Sequence, residues 1–166
     1  MAGQLISADY YRVLESAEKS LDIKVTSPWP GQIARRAELR HLMEPEHILV
    51  RHAKAGIPCR SICLEPESYR RFFTTGGDPM AEKPYCDEVQ NMLGDFQDVG
   101  GKVRFIKEAT NPEISFVVAD KVRAIMFLGV WLACGEEHFR QTAFLSEDRE
   151  TIKFLLDAFE LCWTAQ

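Results

Sequence analysis

The stretch HILVRHAKAGIPCRSICL, residues 47–64, carries a helix into a strand without an intervening loop of any length. The helix covers 39–55 and is interrupted at Pro45, which lacks an N–H and starts a new segment. Gly56 ends it, because glycine accepts the left-handed backbone that a helix C-terminus uses. RSICLEP, residues 60–66, then reads as a strand. His52 and Lys54 fall in the last helical turn, with His41, His47, Arg40 and Arg51 in the same segment. Cations there interact favourably with the helix dipole and bond its free carbonyls. That role accounts for His52 and Lys54 without any chemistry.

Upstream, ADYYRVLESAEKS (8–20) places Tyr10, Val13, Leu14 and Ala17 at helical spacing, with Ser7 or Asp9 as a cap. LDIKVTSPW follows as a strand. Leu21, Ile23 and Val25 alternate with Asp22 and Lys24, and Ser27-Pro28 ends it. Residues 30–38 begin a loop that carries Arg35 and Arg36. Downstream, SYRRFF and TTGGDP make a short helix and a loop. In 84–98, Val89, Met92, Leu93 and Phe96 form one apolar helical stripe, closed by Gly100-Gly101. KVRFIKEA is a third strand. ISFVVA (114–119) and VRAIMFLGV (122–130) are two β-rich runs around Asp120-Lys121, a hairpin turn. CGEEHF is a polar loop and QTAFLS a short strand. Residues 148–164 form the last helix, with Ile152, Leu155, Leu156, Phe159 and Trp163 on one face and Ser146 or Asp148 as cap. The early alternation implies βαβ units and parallel pairing, the late hairpin an antiparallel portion. The expected fold is α/β: a mixed β-sheet flanked by helices on both faces, in one domain over 1–166.

The chain has 166 residues, 46% hydrophobic and 27% charged, which is ordinary globular composition. No apolar run is long enough to span a membrane. The start, MAGQLISADYY, has neither the basic flank nor the apolar core of a signal peptide. A net charge of −5 argues against direct nucleic-acid binding, which asks for a basic surface. Five cysteines at wide spacing (59, 63, 86, 134 and 162) read as reduced thiols of a cytoplasmic protein. Cys59 and Cys63 share a strand parity and read as small core residues. No second close Cys/His pair completes a metal site, and no cofactor is expected.

The order of segments resembles one half-unit of the phospholipase D-like superfamily over nearly the whole chain. ESAEKSLDIKVTSPW is similar to its opening helix and strand. HILVRHAKAGIPCRSICL is similar to the next helix–strand step, and DFQDVGGKVRFI to the following glycine and basic strand. SEDRETIKFLLDAFELCW is similar to the closing helix, with its Phe159 and Trp163. The superfamily's signature is His-x-Lys, four residues, then Asp. His52-x-Lys54 opens like it, but Cys59 stands at the Asp position. The superfamily's place for the signature is instead NPEISFVVADKVRAIMFLGVW. There Asp120 matches the Asp, while Glu113 and Ser115 stand where His and Lys would be. The Gly-Ser and Asn that follow the signature are also missing, since Val130 and Trp131 follow Gly129. Phosphodiester chemistry needs the histidine as nucleophile and the lysine on the phosphate oxygens. The resemblance therefore implies the fold and argues against the activity, and no catalytic residue is assigned.

Other chemistry is thin. No Gly-x-Ser-x-Gly elbow occurs. Cys134 and His138 stand four residues apart in a loop, a pairing that often occurs by chance. Thr74-Thr75-Gly76-Gly77-Asp78 lacks the lysine and spacing of a P-loop. Ligands of open α/β sheets sit outside the carboxyl ends of the strands. This places Ser27, Trp29, Glu65, Glu113, Ser115 and Trp131 as candidate ligand-binding residues. Degenerate domains of the superfamily serve as sensing or regulatory parts of bacterial or archaeal proteins, including transcriptional regulators and signalling proteins. The resemblance thus implies a non-catalytic, ligand-sensing homodimer. Met126 and Phe127 are the expected dimer surface. The alternatives are a docking or dimerisation module without a small ligand, and a hydrolase using Glu113 and Asp120 as acid and base.

Overall fold

A computed structural model describes residues 2–24, 45–65, 91, 93–106, 114–131 and 139–165. Helix α1 spans Ala2–Glu15, β1 Leu21–Lys24, α2 Pro45–Lys54 and β2 Cys59–Leu64. Helix α3 covers 93–98. Strands β3 (Lys102–Ile106), β4 (Ile114–Ala119), β5 (Arg123–Trp131) and β6 (Phe139–Ser146) lead to helix α4, Arg149–Thr164. The strands form one sheet in the order β3-β2-β1-β4-β5-β6. β1, β2 and β3 run parallel, and β4, β5 and β6 pair antiparallel in series from β1 outward. The sheet is mixed, as the segment order requires.

The two faces have different cores. On one, Val13 and Leu14 of α1, Ile48 and Leu49 of α2 and Phe96 of α3 pack on Leu21, Ile23, Cys59, Val117, Ile125 and Phe127. On the other, Ile152, Leu155 and Phe159 of α4 pack on Ile62, Phe116, Val118 and Ala124. Full burial of one such side chain contributes about 1.5–3 kcal/mol. Asp148 caps α4 by accepting from the Thr151 N–H at 2.8 Å. Gly56 has φ +80°, the left-handed C-cap. The Phe96 ring occupies the space a Cβ on Gly101 would need, 2.4 Å away, so glycine lets α3 close onto β3.

The clearest differences from the expectation are at α1 and β6. Helix α1 starts at Ala2 and stops at Glu15, so Ser7 and Asp9 lie within it rather than capping it. Asp9 instead pairs with Arg12 at 3.2 Å. The helix stops early because the N–H groups of Glu18, Lys19 and Ser20 are directed to the Asp120 carboxylate. Strand β6 opens at Phe139, so the end of the expected polar loop already pairs with Trp131 of β5. Phe127 is a core residue, 7% exposed and edge-on to Tyr10 at 5.5 Å, and Met126 packs under α4. Neither offers the expected dimer surface. The pleat explains this, because both sheet faces at β5 carry apolar layers. The Arg35-Arg36 and Arg70-Arg71 doublets, TTGGDP, Cys86 and the Cys134–His138 pair lie outside the described residues.

Candidate functional site at the carboxyl end of the sheet

Parallel β1, β2 and β3 finish at the same end of the sheet, and antiparallel β4 begins there. Lys24 stands opposite Ile62 and Phe116, so Ser115 lies one residue further toward that end. The Glu65 N–H donates to the Ile106 carbonyl at 2.9 Å, extending the β2–β3 ladder by one step. Glu65 and Ser115 thus flank the exit of β1, about 12 Å apart by sheet spacing. Ser115 shares parity with Val117, and therefore the α1–α2 side of the sheet. Trp131 ends β5 at the same edge, three residues beyond Leu128, the partner of Ile114. Its backbone is about 14 Å from Ser115, so the sheet does not bring these two together directly. Ser27, Trp29 and Glu113 lie outside the described residues.

Asp120 occupies the opposite end. Its backbone and that of Lys121 take φ 55° and 60°, and Val122 N–H closes the turn on the Ala119 carbonyl at 3.1 Å. Two consecutive left-handed residues match the twist of the flanking strands, and aspartate tolerates that conformation. Its carboxylate accepts from three amides: Glu18 at 3.0 Å, Lys19 at 2.7 Å and Ser20 at 2.9 Å. Partial burial alone would raise its pKa. The hydrogen bonds from Ser20, Glu18 and Lys19, with the Lys19 charge, outweigh that and hold the carboxyl below its usual 3.8. Glu113, which the alternative hydrolase would pair with Asp120, lies outside the described residues. Ile114, at the start of β4, is six residues from Asp120 along an extended strand, about 20 Å.

His52 has a structural contact. Its Nε2 lies 2.8 Å from the Leu14 carbonyl oxygen and donates to it, tying α2 to the end of α1. Cys59 and Cys63 are core residues, and burial pushes both thiols up to about 11, away from the reactive thiolate. Among the described residues, no group of His, Cys, Asp and Glu converges as a metal site. Among the same residues, no helix is long and apolar enough to cross a membrane.

A charged cluster under α4 was not anticipated. Asp22 and Lys24 are 3% and 2% exposed, although the alternation of β1 put them on its polar side. Arg60 Nε donates to Asp22 Oδ1 at 2.7 Å, and its Nη2 contacts Glu160 Oε1 at 2.7 Å. The guanidinium lies over the Phe159 and Trp163 rings at 4.7 and 5.3 Å. Arg104 donates to the Trp163 carbonyl at the end of α4. The legible signal was Phe159 and Trp163 one turn apart above a sheet that carries Arg60. The burial of Lys24 has a measurable consequence. Desolvation, partly opposed by the neighbouring Cys162, pulls its amine from 10.5 down to about 8. Below pH 8 both folded and unfolded chains hold this proton, and the cost of burying the charge is complete. Between 8 and 10.5 the unfolded chain keeps a proton the folded one has lost, so stability rises with pH. We expect Lys24→Met to flatten that rise. Urea midpoints from pH 7 to 10 measure it, and a wild-type slope retained in Lys24→Met refutes it.

No family model matches the chain, and no curated protein matches it. Solved structures do. The archaeal chromatin protein TrmBL2, whose structure shows a novel mode of DNA binding, superposes with TM-score 0.59 at 9% identity, over 95% of this chain. This chain spans about half of TrmBL2, 47% of its length. Nuc from Salmonella typhimurium, a phospholipase D family member, gives 0.57 at 11% identity, covering 98% of this chain and 86% of Nuc. NucT from Helicobacter pylori gives 0.52 at 15%, covering 96% and 88%. The fold is phospholipase D-like.

Proposed function

We propose that this phospholipase D-like fold serves as a non-catalytic, ligand-sensing or regulatory domain, acting as a homodimer, within a transcriptional regulator or signalling system. The observation that carries the reading is the division of labour along β4. Ser115, an uncharged hydroxyl, stands at the carboxyl end of the sheet, where the resemblance puts a phosphate-binding lysine. Asp120, the matching residue of the signature, is committed to three backbone amides at the other end. The fold's scaffolding aspartate is kept without the charge that phosphoryl chemistry requires.

The ligand site of this reading comprises Ser27, Trp29, Glu65, Glu113, Ser115 and Trp131. Two carboxylates, two hydroxyls and two indoles suit a neutral or cationic ligand with hydroxyl groups and a flat apolar face. A phosphodiester would meet like charge at Glu65 and Glu113. TrmBL2 binds DNA, but the net charge of −5 speaks against a phosphate-tracking surface here. Duplex DNA therefore belongs in the screen as an arm expected to be silent.

The test is a thermal-shift screen against nucleosides, nucleotides, sugars, phosphates, lipids, amines and duplex DNA. A ligand at about 100 times its dissociation constant adds roughly 2.7 kcal/mol. For a chain of this size that is a rise of about 5–10 °C. The expected result is a hit among neutral or cationic compounds that Trp29→Ala or Glu113→Ala abolishes. A hit indifferent to both moves the site elsewhere. An entirely silent screen leaves the docking module. Turnover of a chromogenic phosphodiester that Glu113→Gln abolishes would restore the hydrolase.

A further inference from the structure

A lysine is rarely buried as deeply as Lys24, which is 2% exposed. The pleat puts it on the α4 side of β1, with Asp22. Register sets it beside Phe116 of β4, and Phe159 of α4 lies edge-on to Phe116 at 6.5 Å. Cys162 is one turn beyond Phe159 and packs on the same apolar cluster. One step back along both elements, Asp22 holds Arg60 beneath the Phe159 and Trp163 rings. The last turns of α4 therefore lie over the end of β1. Lys24 is two residues past Asp22, and Cys162 is the neighbouring group that acts on its amine. The other charges of this cluster are engaged elsewhere: Arg60 with Asp22 and Glu160, Arg104 with the Trp163 carbonyl.

We propose that Lys24 and Cys162 form a peroxide-responsive covalent bridge, a sulfenamide that ties the end of α4 to β1. First, the Cys162 sulfur attacks hydrogen peroxide. The O–O bond breaks, the sulfur is oxidised to a sulfenic acid, and the peroxide's other oxygen leaves as water. Then the lone pair of the neutral Lys24 amine attacks that sulfur. An N–S bond forms, the S–O bond breaks, and the hydroxyl leaves as water with a proton from the amine. One thiol, one amine and one peroxide give one sulfenamide and two waters.

The surroundings select this pair. Cys162 is partly exposed, so peroxide reaches it. Cys59 and Cys63 are buried, with thiols pushed up to about 11, and resist oxidation. The Lys24 amine, pulled down to about 8, is half neutral at pH 8 and nucleophilic there. Its burial also keeps water from competing at the sulfenic acid. The bridge goes beyond the proposed function and does not rest on it, because it needs no ligand at the carboxyl end.

Peptide mapping of the whole chain tests the bridge. Wild type at pH 8 receives about ten equivalents of hydrogen peroxide and is digested with trypsin without reductant. The expected product joins the peptide that holds Lys24 to the one that holds Cys162, about 2 Da below their summed mass. It is uncut after Lys24, and dithiothreitol releases it. Cys162→Ser and Lys24→Met are each expected to abolish it, and in Lys24→Met the Cys162 sulfur is expected to proceed to sulfinic acid. In urea, where the fold no longer holds the pair together, wild type is expected to lose the bridge. Cys162 of the folded wild type recovered unmodified, as sulfinic acid or in a disulfide, with Lys24 intact, overturns the proposal. So does a bridge that forms equally in urea, or one to another lysine in equal yield.

Discussion

Arg60→Ala is expected to cost about 3–5 kcal/mol of folding stability, lowering the melting temperature by roughly 6–20 °C. The cost comes from the residue left behind. Asp22 is 3% exposed, and Arg60 holds its carboxylate at 2.7 Å. Without the guanidinium, a buried charge loses its partner, and the Phe159 and Trp163 rings lose the plane that covers them. Glu160, the other carboxylate on Arg60, has a half-exposed side chain. Water takes over its solvation, so Glu160→Gln should cost less than about 1 kcal/mol. The double replacement Asp22→Leu with Arg60→Met removes both charges together. It should recover most of the loss, since an apolar pair of similar volume is often no less stable than a buried ion pair. Urea unfolding at constant m-value measures all three. An Arg60→Ala loss below about 1 kcal/mol would overturn the buried pair as a source of this stability.

Asp120→Ala is expected to cost about 2–3 kcal/mol, because three amides of the α1–β1 connection lose a charged acceptor. Asp120→Asn keeps one carbonyl acceptor and should recover part of this. The sign of the pH dependence follows from the depressed pKa. The contribution is complete above the unfolded value near 3.8 and is lost as pH falls through the lower folded value. Wild type and Asp120→Ala should therefore differ most above about pH 5 and converge toward about pH 2. A difference constant across that range would mean that the aspartate acts by its turn conformation rather than its charge. Hydrogen exchange at Glu18, Lys19 and Ser20 reads the same bonds directly.

The candidate ligand site was legible only in part. The rule that ligands gather beyond strand carboxyl ends named Glu65, and the resemblance put Ser115 at the signature's lysine position; the topology places both at that end. Trp131 was named with them as a candidate lining residue. How far it stands from Ser115 depends on the length of β5, which one residue's neighbours do not reveal. Asp120 was explained as a turn residue. That it also holds a loop a hundred positions upstream required the β1–β4 pairing to exist.

Local chemistry in the chain settles the elements themselves. Gly56 ends α2, Asp120-Lys121 turns the hairpin, Asp148 caps α4, and period-two and helical stripes name the residues between them. These signals act over a few residues and are complete in the sequence. Pleat parity also tells which strand residues share a face. It does not tell whether that face is covered. Asp22 and Lys24 read as a polar side and are buried because α4, more than a hundred residues later, closes over them. Phe127 read as a surface and is core because α1 lies on β5. Phe144 and Leu145 are left exposed because β6 is where the sheet ends. Burial is a property of what packs on top, and only the tertiary structure decides that.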